Sequence, residues 1–223
     1  MKTFHINQSA LVAIANLAPD HDIQYYLMGV YVEFNHDTTR LVATDGHCLG
    51  VYEIAAFSVS DLPNDESGSL IVPLDLIAGL PKPASKHDPV LTFTKVGEES
   101  SLKWQVVIDG VDSLARPFYA VDGKYPDWRR VVSSLVNTGT NGNAAMYNLP
   151  LLNKLEKTAT MLCRKPKSKG KPYIELYQSG YEAGLITVPR LEKGLFEAVV
   201  MPLRSETGKS GFKFSSSLTS NLV

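Results

Sequence analysis

Residues 26–54 read YLMGVYVEFNHDTTRLVATDGHCLGVYEI, and apolar side chains alternate with polar ones along three runs of this stretch. Alternation with a period of two is typical of β-strands that bury one face. Short polar residues and glycine, which favour tight turns, separate the runs. The stretch therefore predicts three consecutive antiparallel strands, at residues 26–34, 39–44 and 48–54, joined by turns at 35–37 and 45–46.

A strand and a helix precede these three strands. Residues 2–7 (KTFHIN) alternate like a strand, and the apolar residues of 8–18 fall on one helical face. The helix is expected to end at Pro19, because proline disfavours the helical conformation of the residue before it. One strand, one helix and three strands together form a β-α-β-β-β unit.

The same order of elements recurs twice along the chain. After a polar linker at 58–68, the second unit is predicted as a strand at 69–72, a helix at 74–80 and strands at 90–96, 102–109 and 112–119. After a linker at 133–143, the third unit is predicted as a strand at 144–148, a helix at 149–162 and strands at 173–178, 183–188 and 196–203. The pattern predicts an α+β fold with the helices on one side of antiparallel sheets.

The unit count predicts the domain organisation. Two units side by side, 1–57 and 68–132, form one domain spanning 1–132, and the third unit, 133–204, is half a domain. Residues 205–223, which are rich in serine, are expected to form a flexible tail. Because an unpaired third unit leaves sheet edges that a neighbouring chain can complete, we expect a homo-oligomer.

The composition excludes several classes of protein. Of 223 residues, 44% are apolar and 20% charged, which is typical of globular proteins. The chain lacks a membrane-spanning apolar run and a signal-peptide pattern, so we expect a cytoplasmic protein without a membrane partner. Cys48 and Cys163 fit no metal motif, and the five histidines show no ligand spacing. No carboxylate pair or Ser-His-Asp order is supported by its context either. We therefore predict a protein that is not an enzyme and uses neither a metal nor a cofactor.

Charge is distributed unevenly along the chain. Residues 1–100 hold 5 basic and 13 acidic side chains, whereas residues 151–223 hold 12 basic and 6 acidic ones. Five basic side chains lie within 164–171 (RKPKSKGK), directly after the predicted helix that carries Lys154 and Lys157. Such a segment either contacts the phosphates of a polyanion or forms a solvated loop that binds nothing, and the sequence leaves both readings open.

Four segments resemble signatures of one protein family and occur in that family's order. They are residues 25–34 (YYLMGVYVEF), 41–49 (LVATDGHCL), 123–131 (GKYPDWRRV) and 199–204 (VVMPLR). The family is that of the bacterial DNA polymerase III β subunit, the sliding clamp. The resemblance covers residues 1–204 and implies a shortened clamp: one and a half domains of the DNA-clamp fold, like the middle domain followed by the last half of the final domain.

The resemblance implies a replication processivity factor. Members of the family encircle duplex DNA as a ring, hold it without regard to sequence, and bind short motifs of DNA polymerase and repair proteins. It implies a peptide pocket formed by Leu27, Thr44, Gly46, His47, Leu49, Pro126, Arg130, Val131, Val199, Met201, Pro202, Leu203 and Arg204. The same TDGH and PDWRR segments can also be ordinary turns and linkers of the fold.

Two positions depart from the family's pattern. Cys48 stands where a basic residue is usual, and Met28 stands where an asparagine is usual. Both changes are expected to make the pocket less polar and to shift its preference among partners.

The resemblance also implies a DNA-binding surface, because helices line the hole of a clamp. The candidate phosphate contacts are Lys154, Lys157, Arg164, Lys165, Lys167, Lys169 and Lys171. If a ring needs twelve units, three units per chain imply a tetramer, and a clamp loader is a further expected partner. The alternative is a binding module that captures clamp-binding motifs as a decoy or adaptor without encircling DNA.

Overall fold

The computed structural model describes residues 2–55, 67–82, 88–110, 112–136, 146–163, 174–177, 183–189, 191 and 194–203. Its strands are β1 (Thr3–Asn7), β2 (Gly29–Phe34), β3 (Thr38–Thr44), β4 (Cys48–Ala55), β5 (Gly68–Pro73), β6 (Val90–Lys95), β7 (Lys103–Ile108), β8 (Asp112–Tyr119), β9 (Glu175–Tyr177), β10 (Gly184–Thr187) and β11 (Leu195–Val200). Its helices are α1 (Gln8–Ala15), α2 (Leu74–Ala78), α3 (Trp128–Val136) and α4 (Leu149–Leu162). A turn of 3-10 helix at Tyr25–Leu27 replaces the start of the strand predicted at 26–34.

The strand predicted at residues 144–148 is wrong in its described part. Residues 146–148 are not in a strand and lead directly into α4. Pro150 lies in the first turn of that helix, where its fixed φ favours a helical start. The segment makes a backbone hydrogen bond of another kind, in which the N–H of Leu203 donates to the carbonyl oxygen of Met146 at 2.7 Å.

Helix α3 overlaps the linker predicted at 133–143 and extends past the predicted unit boundary at residue 132. Trp128 and Val132 lie about one helical turn apart, and both pack against the same apolar cluster of the sheet. A short helix of this kind is stabilised by tertiary packing rather than by intrinsic propensity. The sequence pattern of nine residues was therefore too short to indicate it.

The described strands form two antiparallel sheets, and the first two units exchange their first strands. One sheet has the order β1-β6-β7-β8, and the other has the order β5-β2-β3-β4-β11-β10-β9. Strand β1 of the first unit pairs with β6 of the second, with Phe4 opposite Phe93. Strand β5 of the second unit pairs with β2 of the first, with Leu70 opposite Val32. The two units are thus interlocked.

The third unit continues the sheet of the first unit. Strand β11 pairs with β4 over six residues, from Leu195 opposite Glu53 to Val200 opposite Cys48. Strands β10 and β9 follow on its far side, which produces the seven-stranded sheet. The junction between β4 and β11 therefore joins segments that lie about 150 positions apart in the sequence.

The two faces of the seven-stranded sheet carry different apolar clusters. Helices α1, α2 and α4 share the larger core with both sheets, and we call this the helix face. Gly50 allows close packing there, since a Cβ atom at this position would lie 2.2 Å from Leu17 Cδ1 and 3.1 Å from Phe196 Cε2. Alternate residues of the same strands, including Leu49 and Val199, form a second cluster with Trp128 of α3 on the opposite face. We call this the outer face, and it places α3 away from the other three helices.

Candidate functional site

The turn between β3 and β4 is held by the side chains at its start. Asp45 Oδ1 accepts hydrogen bonds from the backbone N–H groups of His47 (3.0 Å) and Cys48 (2.8 Å). Thr44 Oγ1 donates to the carbonyl oxygen of Cys48 at 2.7 Å and accepts from the N–H of Gly46 at 3.1 Å. Gly46 has a φ of 81°, a left-handed conformation that favours glycine. These contacts fix the turn and leave Gly46 and His47 exposed.

The second oxygen of Asp45 joins this turn to helix α4. Lys154 Nζ lies 2.6 Å from Asp45 Oδ2, and the two side chains are 34% and 10% exposed. Burial disfavours the carboxylate, but the hydrogen bonds from Lys154 and from the N–H groups of Cys48 and His47 outweigh it. Together they hold the pKa of Asp45 below its usual value.

The end of β11 is attached to the same turn. The N–H of Met201 donates to the carbonyl oxygen of His47 at 2.9 Å, one residue beyond the pairing of Val200 with Cys48. Val199 lies opposite Leu49 in the sheet, and both side chains are buried on the outer face. Met201 remains 46% exposed and Leu203 50% exposed. An apolar floor and exposed apolar side chains thus meet at the β4–β11 junction.

A third segment, residues 121–132, covers the outer face beside this junction. The N–H of Val121 donates to the carbonyl oxygen of Ile71 at 3.0 Å. The ring of Tyr125 stacks on Tyr31 with 4.9 Å between centroids, and Trp128 is buried against the floor. These contacts hold the start of α3 on the sheet.

An ion pair fixes the same segment from its exposed side. The Arg129 guanidinium donates two hydrogen bonds to the Glu33 carboxylate, one of them 2.9 Å long. It also lies 4.3 Å from the centre of the Trp128 ring. Burial tends to raise the pKa of Glu33, but its hydrogen bond with Arg129 and the guanidinium charge reverse the effect and lower it.

The residues predicted for a pocket fall into three groups in the structure. Leu27, Thr44, Leu49 and Val199 are buried, and Leu27, Leu49 and Val199 belong to one apolar cluster. Pro202 is half-buried, and Gly46, His47, Pro126, Arg130, Val131, Met201 and Leu203 are exposed. Pro126, Arg130 and Val131 flank Trp128, which belongs to the same cluster. Arg204 lies outside the described residues.

Several residues of this region escaped the sequence prediction. Val42, Val51, Ile71, Tyr125 and Trp128 complete the apolar cluster of the outer face. Strand alternation contains the signal for two of them, because Val42 shares a strand face with Thr44 and Val51 shares one with Leu49. The contributions of Tyr125 and Trp128 depend on how the chain crosses the sheet, which periodicity does not report.

Cys48 does not line the outer face, so the expectation that it makes the pocket less polar is wrong. The side chain of Cys48 belongs to the core of the helix face, on the side opposite Leu49 and Val199. Burial and the nearby Asp45 raise the pKa of the Cys48 thiol to about 12. Cys48 therefore acts as a small buried apolar residue.

The candidate DNA contacts are described only in part. Lys154 forms the ion pair with Asp45, and Lys157 is exposed on the same helix. Arg164, Lys165, Lys167, Lys169 and Lys171 lie outside the described residues. The question of contact with phosphates therefore stays a prediction for all seven.

The described residues contain neither a metal-binding cluster nor a membrane-spanning helix. Within the described ranges, no three His, Cys, Asp or Glu side chains form a group that could hold a metal ion. None of the helices in this part of the chain is both long and apolar enough to cross a lipid bilayer.

Asp45 makes the stability of the fold depend on pH. Since the folded pKa lies below the unfolded value of about 3.9, ionised Asp45 stabilises the fold above that pH. The stabilisation is lost as pH falls through the lowered folded pKa. As the pH falls below about 4, we expect the free energy of unfolding to decrease more steeply for the wild-type protein than for Asp45→Asn.

Urea denaturation at a series of acidic pH values measures these slopes. Asp37→Asn removes an exposed carboxylate from the turn between β2 and β3 and is the matched control. It should keep the wild-type slope, whereas identical slopes for wild type and Asp45→Asn would contradict the assignment.

Comparisons with known proteins agree with this architecture. The profile of the family described as DNA polymerase III beta subunit, central domain, matches residues 6–127, which is more than half of the chain. The beta sliding clamp of Pseudomonas aeruginosa is 32% identical over 112 residues, which are 50% of this chain and 27% of that protein. The match thus spans about a quarter of the length of this curated relative.

Solved structures share the fold at low sequence identity. The DNA polymerase sliding clamp of Pseudomonas aeruginosa has a TM-score of 0.59 at 18% identity, covering 91% of this chain and 67% of that one. The sliding clamp of Bacillus subtilis has a TM-score of 0.59 at 13% identity, covering 92% of this chain and 64% of that one. These matches confirm the predicted clamp fold. The profile match over residues 6–127 shows that the chain belongs to the DNA polymerase III beta subunit family, the bacterial sliding clamps.

Proposed function

We propose that the protein is a sliding-clamp-like processivity factor whose outer face binds the clamp-binding motifs of DNA polymerase and repair proteins. The observation that carries the proposal is the junction of β4 and β11. Segments from three distant parts of the chain, 44–49, 126–131 and 199–203, lie there around one apolar cluster. As in its relatives, the role is one of binding and not of enzymatic catalysis.

The chemistry of the junction suits an apolar peptide. The buried side chains of Leu27, Leu49 and Val199 provide a floor. Met201 and Leu203 follow Val199 in the chain, and about half of the surface of each is exposed. An exposed methionine adapts to side chains of different shape. Aliphatic and aromatic anchors of a short linear peptide can therefore bury their surface against the floor. His47 and Arg130 supply polar groups at the rim.

We also propose that the chain binds duplex DNA through its helix face. Helices α1, α2 and α4 share that face, and the basic residues of 164–171 directly follow α4 in the sequence. Contacts of lysine and arginine with phosphates are independent of base sequence and weaken as salt is added. A ring of four chains would supply twelve units. Placing such a ring on DNA requires a clamp loader, and we place this role in the cytoplasm.

A second candidate function is a module that captures clamp-binding motifs without encircling DNA. The observation in its favour is that all three segments of the proposed peptide site, 44–49, 126–131 and 199–203, come from one chain. A single chain can therefore bind the motif without assembling into a ring. The adaptor function uses the same peptide site and does not require the chains to close into a ring.

Titration with a peptide of the Gln-Leu-x-Leu-Phe type tests the peptide site. We expect the wild-type protein to bind it and Met201→Ala to bind about tenfold more weakly, because truncation removes an apolar contact at the rim of the floor. Leu195→Ala changes an equally exposed side chain of β11 at the other end of the strand and is the control. Absence of binding by the wild-type protein would overturn the proposal.

Mass measurement and DNA loading separate the two candidate functions. A ring predicts a tetramer in solution that is retained on nicked circular DNA and lost when the circle is linearised. A stable monomer that binds the peptide and is not retained on circular DNA supports the adaptor function.

A further inference from the structure

Lys154 connects a helix on the helix face of the seven-stranded sheet to the turn between β3 and β4. It lies on α4, which packs in the core of the helix face through Leu155 and Ala159. Its ammonium group contacts Asp45 in the turn that borders the outer-face junction, at a distance of 2.6 Å. The turn lies at the end of the β3–β4 pair. A side chain from the helix face of the sheet can therefore reach the turn without crossing the strands.

A continuous series of contacts leads from Lys154 to the proposed peptide site. Asp45 Oδ2 binds Lys154, while Asp45 Oδ1 accepts from the N–H groups of His47 and Cys48. The carbonyl oxygen of His47 then accepts from the N–H of Met201. The position of Met201 thus depends on the turn, and the turn depends on a carboxylate that binds Lys154.

Helix α4, which carries Lys154, is held against the core by buried contacts. Thr158 is fully buried, and its hydroxyl lies within hydrogen-bond distance of two carbonyl oxygens, that of Ala13 in α1 at 3.1 Å and that of Lys154 in α4 at 2.9 Å. Leu155, next to Lys154, is also buried. A helix packed in this way fixes the backbone of Lys154, and the ion pair with Asp45 holds its flexible side chain against the turn.

We propose that Lys154 is a positioning residue of the peptide site, acting through Asp45, and not one of the phosphate contacts. The inference rests on the proposed peptide-binding function. A lysine whose charge is matched at 2.6 Å by a carboxylate only 10% exposed attracts a phosphate less strongly than an unpaired lysine, because the carboxylate repels the phosphate. Removing Lys154 leaves the Asp45 carboxylate largely buried without its ionic partner, a change that disrupts local structure.

Lys154→Gln tests the proposal against the matched control Lys157→Gln. Lys157 lies one turn further along α4, is exposed, and has no ion pair among the described residues. In the absence of peptide, we expect amide hydrogen exchange at Met201 to become about tenfold faster in Lys154→Gln and to stay unchanged in Lys157→Gln. Affinity for the Gln-Leu-x-Leu-Phe peptide should fall about fivefold in Lys154→Gln alone. The conservative Lys154→Arg should restore both values.

The exchange measurement separates this proposal from the proposed function. If the wild-type protein binds no peptide, the peptide-binding function fails, whereas the exchange rate at Met201 still reports on the contact between Lys154 and the turn. Thermal unfolding confirms that each variant is folded. Unchanged exchange at Met201 in Lys154→Gln, or weaker binding to duplex DNA without any change at Met201, would overturn the assignment.

Discussion

Phe196→Ala is expected to lower the free energy of unfolding by about 3–5 kcal/mol. Phe196 is fully buried on β11, where it faces the helix-face core and fits against Gly50 of β4. Because Gly50 has no side chain, β4 offers no group at this position to fill the space that the ring leaves. The cavity therefore lies at the strand pair that attaches the third unit to the rest of the chain.

Urea denaturation with hydrogen exchange measures this effect and its location. Leu195→Ala alters the adjacent residue of β11, which is 50% exposed, and should cost less than about 1 kcal/mol. In Phe196→Ala, the amides of β10 and β11 should lose protection before those of β6 and β7. Equal losses of stability in the two variants would show that β11 is not packed as described.

Trp128→Ala is expected to destabilise the protein by about 3 kcal/mol and to weaken peptide binding more than tenfold. Trp128 is 9% exposed and joins α3 to the outer-face cluster that includes Leu27 and Val199. Its ring also packs against the Arg129 guanidinium. Without the ring, the segment that carries Pro126 and Val131 loses one of its buried contacts with the sheet.

Trp104→Ala distinguishes a local effect from general destabilisation. Trp104 is 2% exposed and lies in the core with Phe4 and Phe34, away from the outer-face cluster. Its truncation should cost a similar amount of stability, while peptide affinity, corrected for the folded fraction, should match that of the wild type. Calorimetric titration of both variants below their unfolding temperatures gives the comparison. Loss of affinity in Trp104→Ala, or its retention in Trp128→Ala, would contradict the assignment.

Local patterns predicted most of the strands because turn residues separate their apolar runs. The alternation of residues 26–54 predicted β2, β3 and β4 with shifts of a few residues at their ends. Periodicity does not say which strands pair. Two features are long-range: the exchange of β1 and β5 between units, and the pairing of β4 with β11. They depend on the packing of residues such as Phe4 and Phe196.

The residues of the candidate site could be predicted only where they belong to a sequence motif of the family. The resemblance singled out segments that the structure places at one junction, although periodicity alone does not connect Leu49 with Val199. Trp128 was quoted within a motif, but its burial follows from the course of the chain over the sheet. Asp45 and Lys154 are 109 positions apart, and no local pattern links them. Such ionic contacts depend on the tertiary fold.

The most direct test of the account is to map the peptide on the protein by amide chemical shifts. The central claim is that turn 45–47, the start of α3 and the end of β11 form one peptide site. Titration with the Gln-Leu-x-Leu-Phe peptide should therefore move the amide signals of Gly46, Val131 and Met201 together, with one dissociation constant, and leave those of β9 unchanged. Shifts confined to one of the three segments, or centred on β9, would contradict the claim.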